Sequence, residues 1–322
     1  MRLVVNKEMT VSSPPHIFGK DTIEARMRDV LIALTPAFLA AVYHYGISAF
    51  ITTAVAVISA LLAEALYQKV MGKDVTINDY SAAITGVLLA FNLPPDVPLW
   101  IPALGSVFAI IVVKQLFGGL GANFMNPALA ARAFLLASFP VHMTNWTFAP
   151  DTAASATYLA ILKEYPAFVP EAADYTALMF GKLGGCIGEI SALALLAGGV
   201  YLLVRRVIDW RIPVSYLGSF VVFAFIFGRM GLFTGGHMLL FEVLNGGLLL
   251  GAFFMATDYA TTPIAARGRL IMGIGCGFLT VMIRFFGGYP EGVSYAILIM
   301  NLFVPLIDKY VRPRIYGKGA KA

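Results

Sequence analysis

Long apolar runs separated by short polar intervals fill most of this 322-residue chain. The first covers about Val30–Tyr45 and the second about Phe50–Val70. A third, Tyr80 to Phe91, stops at Asn92-Leu93-Pro94-Pro95, where two prolines remove backbone donors and forbid helix continuation. The fourth, about Leu99–Leu116, breaks at Phe117-Gly118-Gly119, and Phe124-Met125-Asn126-Pro127 opens a fifth that runs to about Phe139. After one long polar interval, 140–182, a sixth covers about Leu183–Val204, a seventh about Pro213–Phe227 and an eighth about Met238–Ala256. The ninth is about Leu270–Phe285 and the tenth about Val293–Leu306. A membrane helix needs about 20 apolar residues, and fewer where it is broken or buried in protein. No short alternating pattern recurs, which argues against a β-barrel.

The breaks recur in the second half. Thr85-Gly86-Val87-Leu88 leads to Pro94-Pro95, and Gly246-Gly247-Leu248 leads to Asp258 and Pro263. Phe117-Gly118-Gly119 leads to Asn126-Pro127, and Phe286-Gly287-Gly288 leads to Asn301 and Pro305. Five spans per half is an odd number, so the halves run in opposite directions. The expected fold is an all-α polytopic membrane protein of about ten transmembrane helices, in two inverted repeats of five with broken helices. Irregular backbone at membrane depth is tolerated only when buried in protein or lining a cavity, so the breaks are where an ion, substrate or cofactor would bind.

Composition agrees. Charged residues make up 13% of the chain, against about 25% in soluble domains. The net charge of +5 resides in short loops and tails, where it sets topology and does not imply nucleic-acid binding. Basic residues at 69–79, 205–212 and 264–269 and at both ends place these segments and both termini on the cytoplasmic side, and 140–182 outside. The first 29 residues lack an apolar core, so no cleavable leader is expected; a short helix at 21–29 would lie against the membrane. The expected organisation is a cytoplasmic arm (1–29), a first five-helix repeat (30–139), an external loop (140–182), a second repeat (183–308) and a basic cytoplasmic tail (309–322).

Cys186 and Cys276 have no metal-binding spacing, and no metal site is expected. There is no P-loop, no strand followed by GxGxxG and no recognisable Ser/His/Asp set. His16, His44, His142 and His237 are scattered. Ionisable residues inside spans are costly and often functional. Of these, Glu64 and Lys114 lie near the basic side and are expected to snorkel. Asp258 is expected to cap a helix end. Glu189, Glu242 and Arg284 leave a proton or Na⁺ path open.

The external loop contains Asp151-Thr152-Ala153-Ala154-Ser155-Ala156-Thr157. Two hydroxyls, Ser155 and Thr157, lie among small residues, with an acid six positions before Thr157. Both a surface loop and an attachment site fit this pattern.

Three stretches carry a family likeness: Ser81 to Pro95, Phe117 to Arg132 with its Asn123 and Asn126, and Ala256 to Pro263. Over about residues 20–310 the chain resembles the D subunits of Rnf complexes, which are related to the B subunit of the Na⁺-translocating NADH:quinone reductase. The resemblance implies an electron-transfer subunit of an ion-translocating ferredoxin:NAD⁺ oxidoreductase in the cytoplasmic (inner) membrane. It implies FMN joined by a phosphoester bond to Thr157, with Asp151 and Ser155 in the attachment signal read by an external transferase. The core here, Ala154-Ser155-Ala156-Thr157, departs from the family's Ser-Gly-Ala-Thr at two positions. The resemblance further implies a non-covalent riboflavin, for which Asn123 and Asn126 are the expected contacts. The implied partners are the lipid bilayer and the other Rnf subunits: an FMN-bearing G subunit, the membrane-embedded A and E subunits, and the NAD-binding C subunit. Two alternatives stand beside it, a subunit of the quinone reductase and a non-redox transporter or channel of the same architecture.

Overall fold

The computed structural model describes residues 22–144, 159, 163, 172–181, 185–227 and 237–312, and no strand occurs among them. Thr22 caps α1 (Ile23–Tyr45) by accepting the Ala25 N–H. The expected separate helix at 21–29 is instead the first turns of α1. Nothing breaks the chain there, and Asp29 is buried, where it accepts from Arg205 and from the Tyr201 hydroxyl of a later helix. Gly46, at φ 66°, turns α1 directly into α2 (Ile47–Val70).

Next come α3 (Ser81–Phe91), then α4 (Trp100–Val107), which continues as a π-helical stretch, Phe108–Gln115. α5 (Pro127–Ser138) and the short α6 (Pro140–Met143) complete the first half. α3 is 11 residues long, or about 17 Å at 1.5 Å per residue, about half the hydrocarbon thickness. Beyond the long polar interval, which contains α7 (Ala172–Phe180), the second half begins with a 3₁₀ turn at Ile187–Glu189. α8 (Ala192–Val204) starts nine residues later than the apolar run suggests, because Ser191 caps it at Ala194. α9 (Arg211–Phe227) follows.

The expected eighth span is not one helix. It is α10 (His237–Leu244), a break at Asn245-Gly246-Gly247, and α11 (Leu248–Leu250), which continues as a second π-helical stretch, Gly251–Met255. Both glycines at the break have positive φ, which a helix cannot absorb. α12 (Ala266–Phe286) and α13 (Val293–Tyr310) complete the fold.

Three of these helices, α2, α12 and α13, are long and apolar enough to cross a membrane, and α3, α5 and α8 are shorter apolar segments. The chain is an all-helical polytopic membrane protein. Helix length alone does not establish the expected count of ten crossings. The halves meet where α1 packs along α8 and where α5 packs on α13. α9 and α12 pack most closely: the Tyr216 hydroxyl and Thr280 Oγ1 are 2.7 Å apart, and a Cβ on Gly277 would lie 2.7 Å from the Phe220 nitrogen.

Candidate functional site

The two sets of breaks meet in the middle of the protein. Asn126 caps α5, with Oδ1 accepting from the N–H groups of Ala128 (3.0 Å) and Leu129 (3.2 Å), while Pro127 occupies the first helical position, which needs no donor. Its Nδ2 donates across the halves to Met255 O at the end of the second π stretch, at 3.2 Å. Asn301 of α13, with its amide oriented to satisfy both neighbours, donates to Thr261 O (3.2 Å) and accepts from the Asn126 N–H (3.0 Å). Asn92, at the end of α3, donates to Leu88 O and accepts from Arg132 Nη1. Carbonyls and amides freed by the broken helices are thus satisfied by asparagines, two of which, Asn126 and Asn301, reach across the halves.

Toward the basic end, the structure overturns the expectation that Glu64 and Lys114 snorkel. Glu64 is 0% exposed and Lys114 2%. Lys114 Nζ donates to Glu64 Oε1 at 2.7 Å and to Ser81 Oγ at 2.6 Å, and Gln115 Nε2 donates to the same carboxylate oxygen at 2.6 Å. Two consecutive residues reach one acid because they lie in the π stretch, whose wider turn brings both inward. Asp258 does not cap the broken helix. It organises the turn beyond it, accepting from Thr261 Oγ1 at 3.1 Å.

A cavity opens beside this pair. This cavity, about 90 Å³, is lined by Lys114, Ser81, Asn123 and Asn126 together with Ile84 and Phe254. An adjoining cavity, about 640 Å³, shares Met27, Asp258 and Tyr259 with it and is lined also by Arg26 and Asp308. The structure therefore brings the two expected asparagines into one cavity. The Asn126 amide is largely committed to α5 and Met255, whereas Asn123 donates to Met125 O at 3.1 Å. Lys114 and Ser81 also line the cavity, and nothing in the sequence pattern pairs them with the asparagines.

At the opposite end lies a second polar cluster. Arg132, 7% exposed, ion-pairs with Glu291, donates to Ser294 Oγ at 2.8 Å and lies 3.8 Å from Cys186 Sγ. Arg284 pairs with Glu242 Oε2 at 2.7 Å and donates to Glu242 O at 2.7 Å. Glu189 lies between the pairs. One ligand-type atom from each of Cys186, Glu189 and Glu291 lies within 4.8 Å of the others. The cations repeat a pattern. Lys114 lies at the end of the helix preceding α5, and Arg284 near the end of the helix preceding α13. Each contacts the start of its half's short helix: Lys114 at Ser81, just after Tyr80 (φ 60°), and Arg284 at Asn245 O, just before Gly247 (φ 67°). No spacing rule links residues 42 or 50 positions apart, so these pairs are not legible in the sequence.

Asp151, Ser155 and Thr157 lie outside the described residues. The nearest described positions after Thr157 are Leu159, buried among Leu178 and Phe241 and against Gly246, and Lys163, which donates to Gly287 O. Both anchor points are at the Arg132–Glu291 end.

A family model described as the NQR2, RnfD, RnfE family matches residues 10–317. Among curated relatives, the D subunit of the Na(+)-translocating ferredoxin:NAD(+) oxidoreductase complex of Acetobacterium woodii is 52% identical, covering 98% of each chain. The D subunit of the proton-translocating ferredoxin:NAD(+) oxidoreductase complex of Clostridium ljungdahlii is 42% identical, covering 96% of each. The D subunit of the ion-translocating oxidoreductase complex of Ectopseudomonas mendocina is 38% identical, covering 94% of each.

Proposed function

Because the chain belongs to the NQR2, RnfD, RnfE family, we propose that it is the membrane flavin subunit of an ion-translocating ferredoxin:NAD⁺ oxidoreductase. The observation that carries this reading is the likeness, over nearly the full length of both chains, to relatives named as D subunits of such complexes. Those names include ferredoxin and NAD(+), which favours this role over the quinone-reductase one. The protein acts with the complex's FMN-bearing G subunit, its membrane-embedded A and E subunits and its NAD-binding C subunit. It lies in the cytoplasmic membrane with both termini inside. Ferredoxin and NAD⁺ are handled by the partners.

Thr157 carries FMN through a phosphoester bond, with Asp151 and Ser155 in the signal that directs attachment. A second flavin, riboflavin, occupies the basic-end cavity. The lining suits an isoalloxazine ring in chemistry, since apolar Ile84 and Phe254 stand with polar Lys114, Ser81 and Asn123, and the adjoining 640 Å³ cavity is within the size range of small-molecule sites. Bound flavins supply the electron-carrying chemistry, and the protein sets their position, exposure and surroundings. Asn123 would hold the polar edge of the ring. Asn126 holds the start of α5 in place beneath it. The Glu64–Lys114 pair fixes a cation at the cavity, where it would favour negative charge on a bound flavin. Phe254 and Ile84 exclude water from that face.

Covalent attachment is tested by running the denatured subunit on a gel and viewing flavin fluorescence. The band fluoresces in the wild type and is dark in Thr157→Ala. Fluorescence that persists in the variant places the attachment elsewhere. Riboflavin is tested by extracting non-covalent flavin. Asn123→Ala lowers its yield per subunit, and an unchanged yield removes Asn123 from the site.

A further inference from the structure

The cluster opposite the cavity holds one acid more than it has bases. Arg132 is matched by Glu291 and Arg284 by Glu242, which leaves Glu189. Its Oε1 is fully enclosed and has no hydrogen-bond partner among the described residues. The surroundings fit a carboxyl group there: a Cβ on Gly247 would come within 2.5 Å of Oε1, and one on Gly185 within 3.4 Å of Oε2. The bare backbone of two glycines makes room for both oxygens. Across the remaining side lie Cys186 and the Glu291 carboxylate, within 4.8 Å.

Two carboxylates this close cannot both remain charged on one guanidinium. Arg132 is in direct contact with the Glu291 carboxylate and is committed to it. The remaining charge must be neutralised at Glu189. A metal ion is a poor candidate. The three possible ligands include a sulfur, which hard cations such as Na⁺ avoid. The positive position is also already filled, since Arg132 Nη2 contacts Glu291 and lies 3.8 Å from Cys186 Sγ. Among the described residues, the site is also faced by the Arg284 guanidinium, by the Tyr45 hydroxyl, hydrogen-bonded to Gly185 O at 2.9 Å, and by Asn245, whose buried Nδ2 is without a partner there.

We propose that Glu189 is a proton-binding site in the half of the protein opposite the flavin cavity, taking up and releasing one proton at Oε1. The step is H⁺ plus the carboxylate giving the carboxylic acid. No other bond forms or breaks, and the charge of the five-group cluster moves from minus one to zero. The site rests on the geometry of described residues and does not depend on FMN at Thr157.

Infrared difference spectroscopy of the intact complex, stepped in pH, tests it. A protonated carboxyl gives a C=O stretch distinct from carboxylate bands and shifts in heavy water. Wild type shows such a band appearing and disappearing with pH. Glu189→Gln lacks it, and Thr157→Ala, which removes the proposed tether, retains it. A band that survives in Glu189→Gln overturns the proposal. So does a band displaced by added Na⁺ at fixed pH, which would make the ligand a metal cation. If Glu189→Gln does not assemble, Glu189→Asp serves: a moved band supports the site and an unmoved band overturns it. Failure of the flavin reading shows separately, as gel fluorescence that persists in Thr157→Ala.

Discussion

Among the described residues, Arg132 draws polar partners from both halves of the protein. It sits on α5, nearly buried, and bonds to Asn92 of its own half and to Ser294 and Glu291 of the other. Removing one member of a buried ion pair leaves the other uncompensated, at a cost of about 3–5 kcal/mol. Arg132→Gln is therefore expected to lower the thermal midpoint of the purified complex sharply. Arg132→Lys should recover only part of the loss, because a single ammonium cannot reproduce the fork of contacts. Unfolding followed by intrinsic fluorescence in detergent checks both; equal stability of wild type and Arg132→Gln contradicts the assigned role. Arg132 also marks the limit of what is legible in the sequence. Its place at the end of a recognisable Asn-Pro stretch can be read directly. Its partners, 159 and 162 residues away, come from packing that no local pattern encodes. Glu64 is misleading for the same reason. Proximity to the basic side suggests snorkelling, while the buried lysine that binds it lies 50 positions on.

At the scale of elements, the breaks are the legible part. Two prolines stop α3, and Asn126-Pro127 starts α5, because the missing donor and the capping oxygen act within a few residues. The π stretches are not legible. Nothing in Phe108–Gln115 distinguishes an i→i+5 register from an ordinary helix. Nor is the break inside the eighth apolar run, where Gly246-Gly247 reads as helix among its apolar neighbours. Asn126→Ala removes the α5 cap, worth about 1 kcal/mol, and also the bond to Met255 across the halves. It is expected to destabilise the protein and to lower non-covalent flavin content together, whereas Asn123→Ala lowers flavin content with little effect on stability. Thermal unfolding paired with flavin extraction separates the two.

The loop between α8 and α9 makes a pH-dependent contribution. Burial pushes the Asp209 carboxyl up, but the Arg211 N–H and the guanidinium groups of Arg269 and Arg211 outweigh it and hold it below its ordinary value of 3.8. A lowered value in the folded state means the stabilisation is present above pH 3.8 and is lost as pH falls through the lower folded-state value. Asp209→Asn should thus be less stable than wild type at neutral pH, with the gap closing in acid. A gap that stays constant with pH contradicts this account of the loop.

At the scale of the whole molecule, two halves pack so that each supplies what the other's broken helices lack. Asn126 of the first half serves Met255 of the second, Asn301 of the second serves the Asn126 N–H of the first, and Arg132 of the first bonds Ser294 and Glu291 of the second. This arrangement leaves a cavity at one end and a charged cluster at the other, separated by the asparagine-lined centre. We place a riboflavin in the first and a proton site in the second. We propose the covalent flavin for the cluster's end as well, because Leu159 and Lys163, which follow Thr157 in the chain, are anchored there. The central claim, an electron-carrying subunit with a tethered flavin, is tested most directly by the intact mass of the purified subunit with peptide mapping across 140–182. The account predicts a mass raised by one FMN less one water, with the addition on the peptide that contains Thr157. An unmodified mass, or an addition on any other residue, would contradict it.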